Sequence, residues 1–336
     1  VRKFNVNGKL VGEDSSVFVI AEAGVNHIGS FIEAKKMVEV ASLSMADAVT
    51  FQHIAYNEIN SSKCSKSESD WDKWRLSDEQ IIELFDDAHR FGLSTTACVV
   101  DFKSLEFVVK SGADFLKVVS GDITCHPFLV ECAKTNLPIF LSTGSALLPE
   151  IEDALEVIDK SGGKNVVVYQ TNTKYPTPPN EVDLRAMEVL KKFKYPVGFC
   201  DHTAGTAISL AAVALGAHVI EKHFSLDATI KRPDYQVSIN PHELNQFVAD
   251  IRNIKEAMGR PIKRRHKDDE NFILTRRSLV ARNDMVAGTK IQWSDLAYKR
   301  PGTGTQPSEA KRFIGRNLKY DVSKDDQLYE DMLDDN

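Results

Sequence analysis

An eight-fold parallel β/α barrel with a small turn-rich domain behind it is the fold class this sequence predicts. Three observations predict it. Eight short β-branched runs alternate with amphipathic helical stretches over about 260 residues. Each run is apolar nearly throughout, as in parallel strands covered on both faces. No Gly-x-Gly-x-x-Gly follows the first run, which removes the main support for an open dinucleotide-binding sheet.

The strands are expected at Val17–Glu22, Ala48–Gln52, Leu93–Cys98, Phe115–Ser120, Pro138–Ser142, Val166–Thr171, Val197–Asp201 and Val219–His223. Between and after them, helical spacing covers Ser30–Ser42, Asp78–Phe91, Phe102–Lys110, Leu148–Lys160, Asp183–Lys192, Thr206–Leu215 and Pro241–Met258. Ser77-Asp78-Glu79-Gln80 and Ser30-Phe31-Ile32-Glu33 are capping-box starts for two of these helices. The polar stretch Asn60–Asp70, with Trp71 and Trp74 beyond it, reads as an extended loop over one barrel face or as a partner-contact segment. Residues 1–262 would form the barrel, 263–275 a charged linker, and 276–336 a separate domain of a size that is marginal alone.

Composition narrows the function classes. The 48 acidic and 42 basic residues give a formal charge of −6, which argues against a nucleic-acid footprint. No apolar run approaches the ~18 residues of a membrane span, and the N-terminus lacks a signal-peptide core. The five cysteines, Cys64, Cys98, Cys125, Cys132 and Cys200, form no Cys-x-x-Cys pair and read as reduced thiols. A cytoplasmic protein is expected.

Barrel chemistry gathers where the strands end, because the following loops converge there. Those ends carry Glu22, Gln52, Thr95, Lys117 with Ser120-Gly121-Asp122, Ser142-Thr143-Gly144, Asn172 to Tyr175, Asp201-His202 and Glu221-Lys222-His223. His202 and His223 close adjacent strands, so both imidazoles can point at one divalent ion; the alternative is that each bonds a local carbonyl. Glu22 could add an oxygen ligand, directly or through water. Lys117, Ser120 and Ser142 suit a phosphate or carboxylate, although such hydroxyls also cap helices. A lysine inside an apolar strand needs an anionic partner; Lys117 could equally serve as a Schiff-base lysine. Cys98, Cys125 and Cys132 read as small core residues.

The run Ile20-Ala21-Glu22-Ala23-Gly24-Val25-Asn26-His27 resembles the opening strand of the sialic acid synthases, the N-acetylneuraminate synthase family. The likeness continues in order through Ala46–Gln52, Lys117–Asp122, Leu141–Gly144, Tyr175–Pro178, Asp201–Thr203, Ile220–Phe224, Arg276–Ser278 and Lys299–Gly304. It implies a TIM barrel followed by a small β-rich antifreeze-like (SAF) domain, arranged in a domain-swapped homodimer. It also implies condensation of phosphoenolpyruvate with an N-acylmannosamine-type sugar, giving a nine-carbon 3-deoxy-2-keto acid and phosphate.

Residue by residue, the resemblance assigns the metal to His202 and His223, with Mn²⁺ expected first and Mg²⁺ or Co²⁺ as substitutes. Glu22 and Asp122 join these histidines as the catalytic set. Thr95, Lys117, Ser120, Ser142 and Asn172 or Thr173 would hold phosphoenolpyruvate. Gln52, Asp122, Tyr175 and Asp234 would contact the sugar, and Arg300 would reach its N-acyl group from a neighbouring subunit. One departure stands out: family members commonly carry a lysine just before the Phe-Gln pair, where this chain has Thr50. An aldolase acting through Lys117 and a non-catalytic sugar- or phosphate-binding homologue are the competing readings.

Overall fold

The computed structural model describes residues 2–55, 59–61, 63, 71–264 and 271–334, with only the backbone at 71 and 72. Most of the Asn60–Asp70 stretch, Cys64 and residues 265–270 therefore lie outside the described residues. The chain divides into two compact units, Val1–Gly259 and Arg260–Asn336. Of the stretch expected as a linker, Asn271–Thr275 is a short helix belonging to the second unit.

The first unit opens with a hairpin the sequence reading missed, β1 (Lys3–Val6) and β2 (Lys9–Gly12), antiparallel around Asn7-Gly8. Eight parallel strands follow: β3 (Phe18–Gly24), β4 (Ala48–Phe51), β5 (Ser94–Val99), β6 (Leu116–Val118), β7 (Ile139–Ser142), β8 (Val166–Gln170), β9 (Val197–Asp201) and β10 (Val219–His223). They close into a barrel in chain order, β10 pairing with β3. The eight expected strands are all present; β6 is shorter than its apolar run.

The helices keep the expected places. Among them are α1 (Phe31–Leu43), α2 (Trp71–Trp74), α3 (Asp78–Arg90), α4 (Phe102–Lys110), α5 (His126–Lys134), α6 (Leu148–Lys160), α7 (Ala186–Leu190), α8 (Ala207–Ala214) and α9 (Pro241–Met258). Of these, α2 and α5 are outside the expected set, and α7 is shorter than Asp183–Lys192 at both ends, Asp183 having a left-handed φ of +48° and Lys191–Phe193 tightening into a 3₁₀ turn. Ser77 with Gln80, and Asn240 with Glu243, form reciprocal capping boxes that fix the starts of α3 and α9. Among the described residues no helix is long and apolar enough to cross a membrane.

Strand alternation sorts the side chains into two layers. Val19, Ala21, Val49, Ala97, Leu116, Leu141, Val168 and Ile220 face the helices in one large core. Phe18, Ile20, Phe115, Phe140, Val167, Tyr169 and Val219 fill the barrel interior, joined by Phe4, Val6 and Val11 of the hairpin. The hairpin thus stoppers the mouth at which the strands begin. Phe115 and Phe140 lie 4.5 Å apart between ring centres and form an aromatic floor with Tyr169.

One ion pair breaks the apolar rule of the outer layer. Lys222 Nζ lies 3.1 Å from Asp201 Oδ2, and both side chains are fully buried. Asp201 also accepts from the Thr203 amide at 2.7 Å and the Ser209 hydroxyl at 2.5 Å, and Lys222 donates to the Thr203 carbonyl at 2.6 Å. This network fastens the ends of β9 and β10 together from behind. Removing one partner leaves a buried charge alone, so Lys222→Ala is expected to cost about 3–5 kcal/mol of stability. Urea unfolding measures that loss, and a change under about 1 kcal/mol would contradict it.

The second unit packs its own small core of Leu279, Ala281, Ile291, Leu296, Phe313, Leu318, Leu328 and Leu333. Ser278–Ala281 pairs antiparallel with Leu296–Lys299, accompanied by the short helix Asn271–Thr275, 3₁₀ turns at Trp293–Asp295, Pro307–Arg312 and Glu330–Met332, and isolated bridges.

Candidate active site

The strand ends of the barrel surround a cavity of about 220 Å³ lined by Glu22, Gln52, Cys98, Lys117, Val119, Ser120, Gly121, Ser142, Thr173, Tyr175, Cys200, His202, Glu221 and His223. Nine of the residues singled out from the sequence meet here: Glu22, Gln52, Lys117, Ser120, Ser142, Thr173, Tyr175, His202 and His223.

His202 and His223 sit side by side, ring centres 5.6 Å apart and tilted by 50°. His202 Nδ1 is 2.5 Å from the Asn172 carbonyl and so donates its proton there, which leaves the Nε2 lone pair facing the cavity. The Tyr175 hydroxyl donates to that lone pair at 2.6 Å, its ring stacked on the imidazole at 3.9 Å. Burial pushes His202 down to about 4, against the carbonyl's contrary pull, and pushes His223 well below the usual histidine range. Both rings are therefore neutral at pH 7, the form that ligates metals.

Two rings at this spacing are close enough for one divalent ion to be shared between them. A ligating imidazole typically donates its other N–H to a carbonyl, as His202 does. Buried atoms lacking hydrogen-bond partners gather beside the pair: Glu22 Oε1, His223 Nδ1 and Asp234 Oδ2. A Cβ added at Gly24 would meet Asp234 Oδ2 at 3.2 Å, Glu22 Oε1 at 3.4 Å and His223 Cε1 at 3.5 Å, so these groups surround one point. Gly24 itself has φ +53°, which a side chain would strain. As they stand, no three His, Cys, Asp or Glu side chains among the described residues converge into a complete ligand set. Two neutral imidazoles with unpartnered buried carboxylate oxygens beside them are nevertheless a donor set that fits a divalent ion.

Lys117 rises from the floor over the Tyr169 ring, 4.7 Å from its centre, and donates to Glu221 Oε1. Both side chains are buried. Burial opposes the lysine's charge, but the Glu221 carboxylate paired with it outweighs burial and raises Lys117 above its ordinary value, so it is an ammonium. Cys200 points at the same spot, 3.3 Å from Glu221 Oε1 and 3.5 Å from His202 Nε2. Burial pushes this thiol up, which makes it a poor nucleophile at neutral pH. Burial and then Glu221 push Glu22 up to about 7, against Lys117 and the Thr50 hydroxyl.

Ser120 and Ser142 stand at the ends of β6, the strand that carries Lys117, and of its neighbour β7. The Ser120 hydroxyl accepts from the Gly144 amide at 3.0 Å. Gly144 is favoured by close approach, since a Cβ there would stand 3.0 Å from Ser120 Oγ and 3.1 Å from a Thr171 methyl.

Other expected residues take different places. Thr95 faces the helix layer, its hydroxyl donating to the Val49 carbonyl at 3.1 Å; Cys98, three residues on and on the opposite strand face, reaches the cavity instead. Cys98 is therefore a cavity wall and not simply a core residue. Asn172 serves the site through its carbonyl, while its side chain donates to the Glu181 carbonyl at 2.9 Å. Asp122 lies in the turn Ser120–Asp122, beyond the residues that line the cavity, and burial and Asp101 push it up to about 6. Asp234 stands behind His223, 3.5 Å from Nδ1, and burial raises it to about 6. Arg300 is an exposed residue of the second unit. Glu221, named among the strand ends without a role, is the anion that pairs with Lys117. Its signal was available: a carboxylate two positions before His223 shares its strand face, and Lys117 needed an anion.

Residues 37–263 match the model of the NeuB family, and residues 276–334 match that of the SAF domain. The chain belongs to the NeuB family. An N,N'-diacetyllegionaminic acid synthase from Campylobacter jejuni is 41% identical, over 93% of this chain and 98% of that protein. The human N-acetylneuraminate-9-phosphate synthase is 31% identical, over 97% of this chain and 95% of that protein. Among solved structures, an N-acetylneuraminic acid synthetase from Leptospira borgpetersenii, in complex with citrate, superposes with a TM-score of 0.75 at 27% identity, covering 80% of this chain and 94% of that one. Like these NeuB relatives, the chain is an enzyme of the sialic acid synthase family, built as a parallel barrel with a C-terminal SAF domain.

Proposed function

We propose that the protein condenses phosphoenolpyruvate with the open-chain aldehyde of an unphosphorylated N-acylmannosamine-type sugar. The carrying observation is the shared cavity in which two neutral imidazoles face an ammonium and two serine hydroxyls. C3 of phosphoenolpyruvate gives its enol electron pair to the aldehyde carbon, and the carbonyl oxygen takes a proton. Water adds at C2, phosphate leaves with the electrons of the C2–O bond, and loss of a proton leaves the 2-keto acid.

A divalent ion, Mn²⁺ first and Mg²⁺ or Co²⁺ next, would be held by His202 and His223 and would supply Lewis-acid polarisation of the aldehyde. The chain's own groups do the rest by orientation and electrostatics. Lys117, already an ammonium, places positive charge against the phosphate or carboxylate, with Ser120 and Ser142 donating beside it. That charge state also weighs against the aldolase reading, because a Schiff base starts from a neutral amine. Glu22, near 7, can give or take a proton at neutral pH. Gln52 and Tyr175 at the cavity wall, with Asp122 and Asp234 behind, would contact the sugar, and Arg300 of a second copy in a domain-swapped homodimer would reach the N-acyl group.

Two features favour a free sugar. Lys117 is the single Lys or Arg among the described cavity-lining residues and already has Glu221 as partner, so these residues offer an acceptor phosphate no second cation. The 41% relative is a diacetyllegionaminic acid synthase. Phosphate release with Mn²⁺ should be assayed with N-acetylmannosamine, its 6-phosphate and a diacetamido hexose, followed by product mass. Release is expected to be greatest with the diacetamido sugar and at least about tenfold lower with the 6-phosphate. Sugar binding without any phosphate release would instead support the non-catalytic homologue.

A further inference from the structure

We infer that Thr50 is a positioning residue that holds the Glu22 carboxylate in its working orientation. Thr50 stands directly across from Glu22 in the β3–β4 pairing, and its hydroxyl donates to Glu22 Oε2 at 2.5 Å. Thr50 is fully buried and Glu22 is 2% exposed, so bulk water does not compete for this bond. Among the described residues it is the one hydrogen bond the Glu22 carboxylate receives, and the other oxygen, Oε1, has no partner.

The orientation that results is specific. With Oε2 tied to β4, Oε1 turns toward the point beside Gly24 that Asp234 Oδ2 and His223 Cε1 also face. A register irregularity between Glu22 and Gly24 bends β3 there, so the strand end alone does not fix the side chain. The neighbouring threonines do not supply a substitute donor. Thr96, paired with Thr50 across β4–β5, directs its hydroxyl to the Ala97 carbonyl at 3.2 Å, and Thr95 directs its own to Val49. Thr50 therefore acts on Glu22 and does not line the cavity.

This inference rests on the reading of Glu22 as the proton-handling group of the synthase, and the test separates the two. Thr50→Val keeps the shape and removes the donor; Thr50→Ser keeps the donor. In crystal structures the Thr50→Val protein is expected to show the Glu22 carboxylate rotated away from Gly24 and Asp234, and the Thr50→Ser protein to show it in place. In the phosphate-release assay Thr50→Val is expected to lower kcat about 10- to 100-fold, with the KM of both substrates within about twofold. Thr50→Ser should return kcat to within about threefold of the parent. Thr50→Ala replaces the valine variant should that not fold. An unmoved carboxylate in the donorless variant overturns the inference. So does a raised KM for phosphoenolpyruvate with unchanged kcat, which would make Thr50 a ligand contact. If the parent protein releases no phosphate with any sugar, the synthase reading falls, while the pair of crystal structures still decides the role of Thr50.

Discussion

His202→Ala is expected to abolish Mn²⁺-dependent phosphate release, by at least about a thousandfold, and to weaken Mn²⁺ binding by more than about tenfold. The expectation follows from how the ring is held. Its Nδ1 proton is committed to the Asn172 carbonyl, so the lone pair on Nε2 has one direction in which to point, toward His223 and the cavity. Asn172→Ala provides the contrast: it keeps the carbonyl and removes only a side chain bonded to Glu181, so Mn²⁺ affinity should stay within about threefold. Electron paramagnetic resonance of Mn²⁺ reads binding apart from turnover. Persistent metal-dependent turnover in the alanine protein would eliminate His202 as a ligand.

Lys117→Met should remove most phosphoenolpyruvate binding, because a charge-assisted hydrogen bond to an anion contributes about 1.5–3 kcal/mol, or roughly 10- to 150-fold in affinity. It should also destabilise the fold by about 3–5 kcal/mol, since Glu221 would be left buried without its counterion. The two effects separate in the double variant Lys117→Met with Glu221→Leu, where an apolar pair replaces an ionic one of similar volume. Urea unfolding should show most of the stability restored, and the phosphate-release assay should show no recovery. A double variant that regains activity would mean the ammonium serves the fold alone.

The barrel was legible because parallel strands buried on both faces write themselves as apolar runs, and all eight do so here. The hairpin β1–β2 was passed over although Asn7-Gly8 is a strong turn signal, because each strand has only four residues. Helix α5 starts at His126-Pro127 after Cys125, which makes no side-chain cap, so Pro127 in the first turn is its start signal in place of a capping residue. Within the site, residues at strand ends were found wherever the alternation of faces was unambiguous. Thr95 and Thr96 are adjacent and point to opposite faces, and the one chosen faces outward. Glu221 lies 104 residues beyond Lys117, and only barrel closure brings the two together.

The stoppered lower mouth has a kinetic consequence. With Phe4, Val6 and Val11 sealing one end and the Phe115–Phe140–Tyr169 floor above them, the barrel interior is closed at that end among the described residues, and the cavity lies at the other, where the strands finish. With phosphoenolpyruvate against Lys117, as proposed, the anion is expected to enter such a dead end before the sugar, and initial-rate kinetics with product inhibition should then show ordered addition; random addition would contradict it.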